Sequence, residues 1–120
     1  MPKKILIVED DGDFQDIYQL YLRGESYEVL TASNGKEGLA VLEKETPDLI
    51  NLDLIMPVMD GEEFYVRLRE QVKWRSIPVL VASVNEHMPQ QIQALGGLAG
   101  NLRKPFGIDS LLEKIRANLK

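Results

Sequence analysis

Short apolar runs alternate with longer amphipathic stretches along the chain. The first run, Ile5-Leu6-Ile7-Val8, is unbroken, the pattern of a strand covered on both faces. Phe14, Ile17, Tyr18, Tyr21 and Leu22 follow at i, i+3, i+4, i+7 and i+8. That spacing predicts one buried helix face with a repeat of roughly 3.6 residues, with Gly24 as its stop. Tyr27 to Thr31 reads as a second strand. Asn34 with Glu37 reads as a capping box opening a helix through Leu39 and Leu42 to Lys44, which Thr46-Pro47 breaks. Asp48 to Asp53 reads as a third strand. Asp60 with Glu63 opens a helix through Phe64, Val66 and Leu68 to Glu70. Ile77 to Ala82 reads as a fourth strand, with Pro78 near its start, where a missing donor is tolerated. Pro89, Ile92 and Leu95 give a short helix ended by Gly96-Gly97. Leu98 to Leu102 reads as a fifth strand, although Gly100 and Asn101 disfavour one. Ile108, Leu111, Leu112, Ile115 and Leu119 share one face of a last helix.

Strands alternating with helices imply a parallel sheet with helices on both faces, joined by right-handed crossovers. The 120 residues are one domain's worth. At 44% hydrophobic and 28% charged, the balance is that of a globular chain and not a disordered one. The net charge of −5 argues against nonspecific binding to nucleic acid or to anionic membranes, which need a basic face. With no cysteine, disulfides, thiol catalysis and cysteine-held metals are excluded. His87, the only histidine, cannot build a multi-histidine site, so a metal would sit on oxygen ligands. The four apolar residues Ile5 to Val8 are too few for a secretory core or a spanning helix, and a cytoplasmic location is expected.

Ligands of open parallel sheets bind beyond the carboxyl ends of the strands. Glu9, Asp10 and Asp11 follow the first strand, and Asp53 ends the third, with Met56-Pro57 and Asp60-Gly61 close behind. Ser83 follows the fourth strand, and Lys104-Pro105-Phe106 follows the fifth. Carboxylates gathered in one pocket repel, and one would hold a proton unless a cation intervenes. Mg²⁺ accepts one or two carboxylates plus a phosphate oxygen. A lysine adds a second point charge, and a carboxylate can act as nucleophile to form an acyl phosphate. Each residue alone also has an ordinary reading. Glu9 and Asp11 suit a helix start, Asp53 a turn, Ser83 a loop and Lys104 a surface. Met56, Met59 and Met88 suit packing, and Lys3, Lys4, Arg67 and Arg69 suit solvated faces.

The motifs Ile5-Leu6-Ile7-Val8-Glu9-Asp10-Asp11, Asn51-Leu52-Asp53-Leu54-Ile55-Met56-Pro57-Val58-Met59-Asp60-Gly61, Val81-Ala82-Ser83 and Lys104-Pro105-Phe106 stand in order at those strand ends. On them the chain resembles a bacterial two-component response regulator receiver domain of the chemotaxis-receiver type. The resemblance covers essentially residues 1–120, read as one receiver domain. It implies a flavodoxin-like, doubly wound parallel sheet of strand order 2-1-3-4-5. It implies a phosphorylation-dependent switch rather than a turnover enzyme. Asp53 would accept a phosphoryl group from a histidine kinase or a histidine phosphotransfer protein. Asp10 would bind Mg²⁺ directly, Glu9 largely through water, with Asp53 and the backbone carbonyl of Ile55 completing the protein ligands. Ser83 and Lys104 would hold phosphoryl oxygens, and Pro105 would follow a cis peptide bond. The face of the fourth helix, fifth strand and fifth helix would meet an output partner, or a second copy of the chain.

The sequence departs from that pattern at several points. Asn101 stands where an aromatic ring is common, so the usual aromatic switch is not expected, and Gly100 replaces a commonly polar residue. The stretch from Ser83 to Lys104 is about one residue short of the common length. Ile55 and Asn85 occupy positions that tune phosphoryl lifetime. Apolar Ile55 cannot orient an attacking water, which implies a longer-lived acyl phosphate. Two alternatives are a Mg²⁺-dependent phosphohydrolase with an aspartyl nucleophile, and a receiver-like docking module that is not phosphorylated. The first lacks a second acid two residues after the nucleophile, where Ile55 stands.

Overall fold

The computed structural model describes residues 2–54, 56, 58–83, 89–95, 98–103 and 107–119, with the side chains of Ser83, Arg103 and Ile108 outside that description. Strands β1 (Lys4–Val8), β2 (Glu28–Ala32), β3 (Leu49–Asp53), β4 (Val79–Ser83) and β5 (Leu98–Arg103) alternate with helices α1 (Gly12–Gly24), α2 (Gly35–Lys44), α3 (Gly61–Glu70), α4 (Gln90–Leu95) and α5 (Ile108–Asn118). The strands form one parallel sheet in the order β2-β1-β3-β4-β5. This is the expected flavodoxin-like architecture.

Strand alternation divides the core in two, because successive side chains point to opposite faces. Leu6, Val8, Ile50, Leu52, Val79 and Val81 pack with Leu42, Phe64, Leu68 and Ile92 from α2, α3 and α4. Ile5, Ile7, Leu49 and Leu80 pack with Tyr18 and Leu22 of α1 and with Leu111, Leu112 and Ile115 of α5. Both faces of the central strands are covered, which is why their sequences are apolar runs.

The cap residues follow the sequence, but both glutamates take other partners. Asn34 accepts from the Glu37 amide at 2.9 Å, but the Glu37 carboxylate takes the Ser33 amide, one residue before the cap. Asp60 accepts from the Glu63 amide at 2.9 Å, while the Glu63 carboxylate pairs with Arg67. β5 forms despite Gly100 and Asn101 because a register shift lets it follow β4: Val79 faces Leu98 while Leu80 faces Gly100. A Cβ at residue 100 would stand 3.2 Å from Leu80 Cδ2, so glycine suits this close approach.

Several expectations are corrected. Of the apolar face expected on α1, only Tyr18 and Leu22 are buried, and Phe14, Ile17 and Tyr21 remain over 40% exposed. Tyr18 and Leu22 reach the sheet, and the outer part of the stripe meets solvent. Leu95 on α4 is likewise exposed. Gly24 does not supply the left-handed stop. Ser26 does, at φ 69°, in a Schellman arrangement in which the Tyr27 amide donates to Leu22 O and the Ser26 amide to Arg23 O. Arg69 is not on a solvated face. It is buried, donates to the carbonyls of Arg75 and Ile77 at 2.9 and 3.1 Å, and lies over the Tyr65 ring. It braces a 3-10 turn at Val72–Trp74 that the periodicity did not predict and that buries Trp74. Met56 is buried in the core and Met59 packs against it, as expected.

Candidate functional site

β1 and β3 are neighbours, with Val8 beside Leu52, so the residues leaving their carboxyl ends meet at one edge of the sheet. The first acid after β1, Glu9, continues along β2 through its amide to Ala32 O at 2.9 Å and is buried. The Gln15 side chain of α1 donates to the Glu9 carbonyl and holds that backbone from the helix side. Asp10 turns out to solvent. Asp11 is the N-cap of α1, its Oδ1 accepting from the amides of Asp13 and Phe14 at 2.9 and 3.4 Å. The helix-start reading therefore holds for Asp11, while Glu9 and Asp10 are left for the site.

Asp53 ends β3 and is buried to 7% exposure. The segment behind it is pinned at both ends. The Gly61 amide donates to Leu54 O at 2.9 Å and the Gly35 amide to Met59 O at 3.0 Å. A Cβ on residue 61 would stand 2.3 Å from Asp53 O, so only glycine lets α3 start this close to the end of β3. Asp60-Gly61 thus supplies a cap and a close approach together.

Carboxylate oxygens from Glu9, Asp10 and Asp53 lie within 4.8 Å of one another. Two of the three residues are buried, so water screens their repulsion poorly. A donor set made wholly of carboxylate oxygen fits a hard divalent cation such as Mg²⁺. Beneath the cluster sits a group the sequence pattern did not single out. The phenol of Tyr18 is held above its ordinary pKa, first by burial and then by the negative charge of Glu9, with the polarity of the Asn51 side chain working the other way and the charge of Asp53 adding a smaller push upward. Asn51 and Tyr18 are each 2% exposed. The signal was present in Asn51, a polar residue two positions before Asp53 and so on the same face of β3.

Asp53 pairs with Ala82 in the sheet, and Ser83, the next residue of β4, pairs with Arg103 at the end of β5. The chain at Ser83 therefore reaches the same edge. Ile55, Asn85, Lys104 and Pro105, as well as His87 and Met88, lie outside the described residues. Asn101 is exposed on β5, opposite Val81. No helix among the described residues is long and apolar enough to cross a membrane.

Residues 5–116 match the response regulator receiver domain family. The chain is 36% identical to the DNA-binding dual master transcriptional regulator RpaA of Synechocystis, over all of this chain and 50% of that protein. It spans about half the length of the curated relatives it matches. Among solved structures, the chemotaxis response regulator CheY4 of Vibrio cholerae superposes with a TM-score of 0.91 at 33% identity, over 99% of this chain and 100% of that one. The response regulator TrrA of Thermotoga maritima, solved in complex with Mg²⁺ and BeF, does so with a TM-score of 0.85 at 28% identity, over 98% and 99% of the two chains. Fold, strand-end acids and sequence therefore converge: the chain belongs to the response regulator receiver domain family of two-component signalling, whose members accept a phosphoryl group from histidine kinases as a switch and are not turnover enzymes.

Proposed function

We propose that Asp53 is the phosphoacceptor of this receiver, in a site that Asp10, Glu9 and Asp53 form for Mg²⁺. The observation that carries the reading is the convergence of those three carboxylates within 4.8 Å at the carboxyl ends of adjacent strands. A carboxylate oxygen of Asp53 attacks the phosphorus of a phosphohistidine. The new O–P bond forms as the N–P bond breaks, and the leaving imidazole takes up a proton. The donor is a histidine kinase or a histidine phosphotransfer protein. Bound Mg²⁺ supplies positive charge to the phosphoryl oxygens and the surrounding carboxylates.

The product places nearly two negative charges on Asp53 beside Glu9 and Asp10. The Ser83 hydroxyl and the Lys104 ammonium are assigned to the remaining phosphoryl oxygens, and the Ile55 carbonyl to the metal. Charge-assisted bonds of this kind favour one of two arrangements of α4 and β5. Output then leaves through the face of α4, β5 and α5, toward a partner protein or a second copy. Asn101 cannot supply an aromatic ring there, so signalling through this face relies on other residues. Ile55 and Asn85 set the lifetime of the acyl phosphate. The protein acts in the cytoplasm, where histidine kinases present their phosphoryl donors. The phosphohydrolase and unphosphorylated-module alternatives are disfavoured by the family assignment.

The test is to treat the chain with acetyl phosphate and Mg²⁺ and follow its intact mass, then locate the adduct by borohydride trapping. One phosphoryl group on Asp53, absent from D53N and from samples without Mg²⁺, is expected. No adduct at saturating donor, or an adduct on another residue, refutes the proposal.

A further inference from the structure

Glu9 and Asp10, two of the three clustered carboxylates, are joined by one peptide unit. That unit is planar, so the direction of the Glu9 carbonyl fixes how both α-carbons leave it. β2 ends at Ala32, whose carbonyl accepts from the Glu9 amide at 2.9 Å. Beyond this bond the strands part. The chain after β2 enters the cap of α2 at Asn34, and the chain after β1 enters α1 at Gly12. The side-chain amide of Gln15 sits at the parting. Its nitrogen donates to the Glu9 carbonyl, to the Ala32 carbonyl at 3.3 Å and to Ser33 Oγ at 3.4 Å. Two of these acceptors are carbonyls, so the nitrogen and not the oxygen of the amide must face them.

Gln15 is itself fixed in place. Its backbone amide donates to Asp11 O at 3.0 Å, the first bond of α1, and the Asp11 carboxylate caps the same turn. The Asp11 amide in turn donates to Glu9 Oε2 at 3.4 Å. The first turn of α1 therefore reaches Glu9 twice, at its carbonyl through Gln15 and at its carboxylate through Asp11. On the far side, the Ser33 amide donates to the Glu37 carboxylate of α2 at 3.1 Å. The half-buried Gln15 thus clasps the start of α1 to the entry of α2 across two strand ends. Ordering a glutamine side chain costs rotamer entropy comparable with what such bonds return, so the clasp adds direction more than stability. Groups that hold metal ligands from outside set metal affinity through that direction. We propose that Gln15 is a positioning residue: by holding the Glu9–Asp10 peptide plane against the end of β2, it sets where both carboxylates stand and thereby the Mg²⁺ affinity of the site. The inference rests on the assignment of Glu9 and Asp10 to the metal.

The test uses the full chain as wild type, Q15M and Q15A. Methionine keeps the length of the side chain and removes its donors. In metal-free wild type, the Gln15 side-chain amide protons are expected to exchange with solvent more slowly than those of exposed Gln71. Equal exchange overturns the clasp and the inference with it. Mg²⁺ is then titrated into each unphosphorylated chain and followed by amide chemical shifts. Both variants are expected to bind Mg²⁺ about tenfold more weakly than wild type. The Mg²⁺ midpoint of acetyl phosphate uptake is expected to move by the same factor, with little change in rate at saturating Mg²⁺. Q15M binding Mg²⁺ within about twofold of wild type overturns the inference on that scale, whatever its thermal midpoint, since Gln15 would then only brace the fold. A loss in Q15A without one in Q15M also overturns it, since packing of the stem would then be the cause. Wild-type chain that binds Mg²⁺ but takes up no phosphoryl group refutes the Asp53 assignment and leaves the metal comparison intact. Wild-type chain that does not bind Mg²⁺ refutes the site and this inference together.

Discussion

Replacing Gly61 with alanine sets the start of α3 against the end of β3. The added methyl would stand 2.3 Å from Asp53 O, 2.5 Å from Leu54 Cα and 3.0 Å from Asp53 C. Non-bonded carbon contacts relax at roughly 3.5 Å, so the gap must open by about 1 Å. All three obstacles are backbone, and β3 is held on both sides by β1 and β4. No side chain can rotate out of the way. Overpacking costs roughly 1–3 kcal/mol, and a backbone obstacle belongs at the top of that range. Alanine returns at most about 1 kcal/mol of helix propensity. The net loss is then about 2 kcal/mol, or about 8 °C in Tm at roughly 4 °C per kcal/mol for a domain of this size.

Urea unfolding reads that loss as a lower midpoint at unchanged slope. The same variant bears on function, because the atoms displaced belong to Asp53 itself. At room temperature the protein would remain folded, since total stability is roughly 0.05–0.15 kcal/mol per residue. A reacting group misplaced by about 1 Å can slow its reaction about a hundredfold. Acetyl phosphate uptake in G61A is therefore expected to fall tenfold or more, on that scale, with the fold retained. A G61A chain within about 0.5 kcal/mol of wild type, phosphorylated at the wild-type rate, would refute the reasoning, because the sheet edge would then have yielded at no cost.

Three further outcomes follow from other contacts. R69M removes the guanidinium that donates to the carbonyls of Arg75 and Ile77 while keeping most of the stem; it should cost about 2–3 kcal/mol in urea unfolding, and a cost below about 1 would mean water replaces the bonds. S26G relieves a left-handed residue at φ 69° and should raise stability by about 0.5–1 kcal/mol, whereas a loss would show that the serine is unstrained. Tyr18 titrates above its ordinary value in the fold, so the native state keeps its proton while the unfolded chain loses it above about pH 10. Its contribution is whole below that pH and declines above it, by up to about 1.4 kcal/mol per pH unit. Stability measured from pH 9 upward should therefore fall more steeply in wild type than in Y18F, and parallel curves would contradict the shift.

Much of the fold was legible because its elements are local. Unbroken apolar runs give strands covered on both faces, and Asn34 and Asp60 mark helix starts through bonds made within three residues. What escaped depends on partners distant in sequence. Periodicity shows that α1 has an apolar stripe, but not that its sheet face covers only Tyr18 and Leu22 of it. Arg69 reads as a surface charge until the chain folds back and offers it the carbonyls of Arg75 and Ile77. The sign of a single φ, which moves the helix stop from Gly24 to Ser26, likewise has no trace in a hydrophobic pattern.

The string Glu9-Asp10-Asp11 shows how far residue type carries an argument about a site. Its three acids have three fates within a few ångströms of one another. Glu9 is still held to β2 and is buried, Asp10 has left the sheet and meets solvent, and Asp11 caps α1. The cap is what turns the chain: by accepting the first free amides of α1, Asp11 fixes where the helix begins and so where Asp10 must point. Removing the Asp11 carboxylate should accordingly disturb the site through Asp10, although Asp11 lies outside the three-carboxylate group. Asn51 is the reverse case, a residue hidden in an apolar strand whose place beneath Asp53 follows from alternation alone. In both, backbone geometry rather than side-chain chemistry decides which polar groups lie at the acidic strand ends.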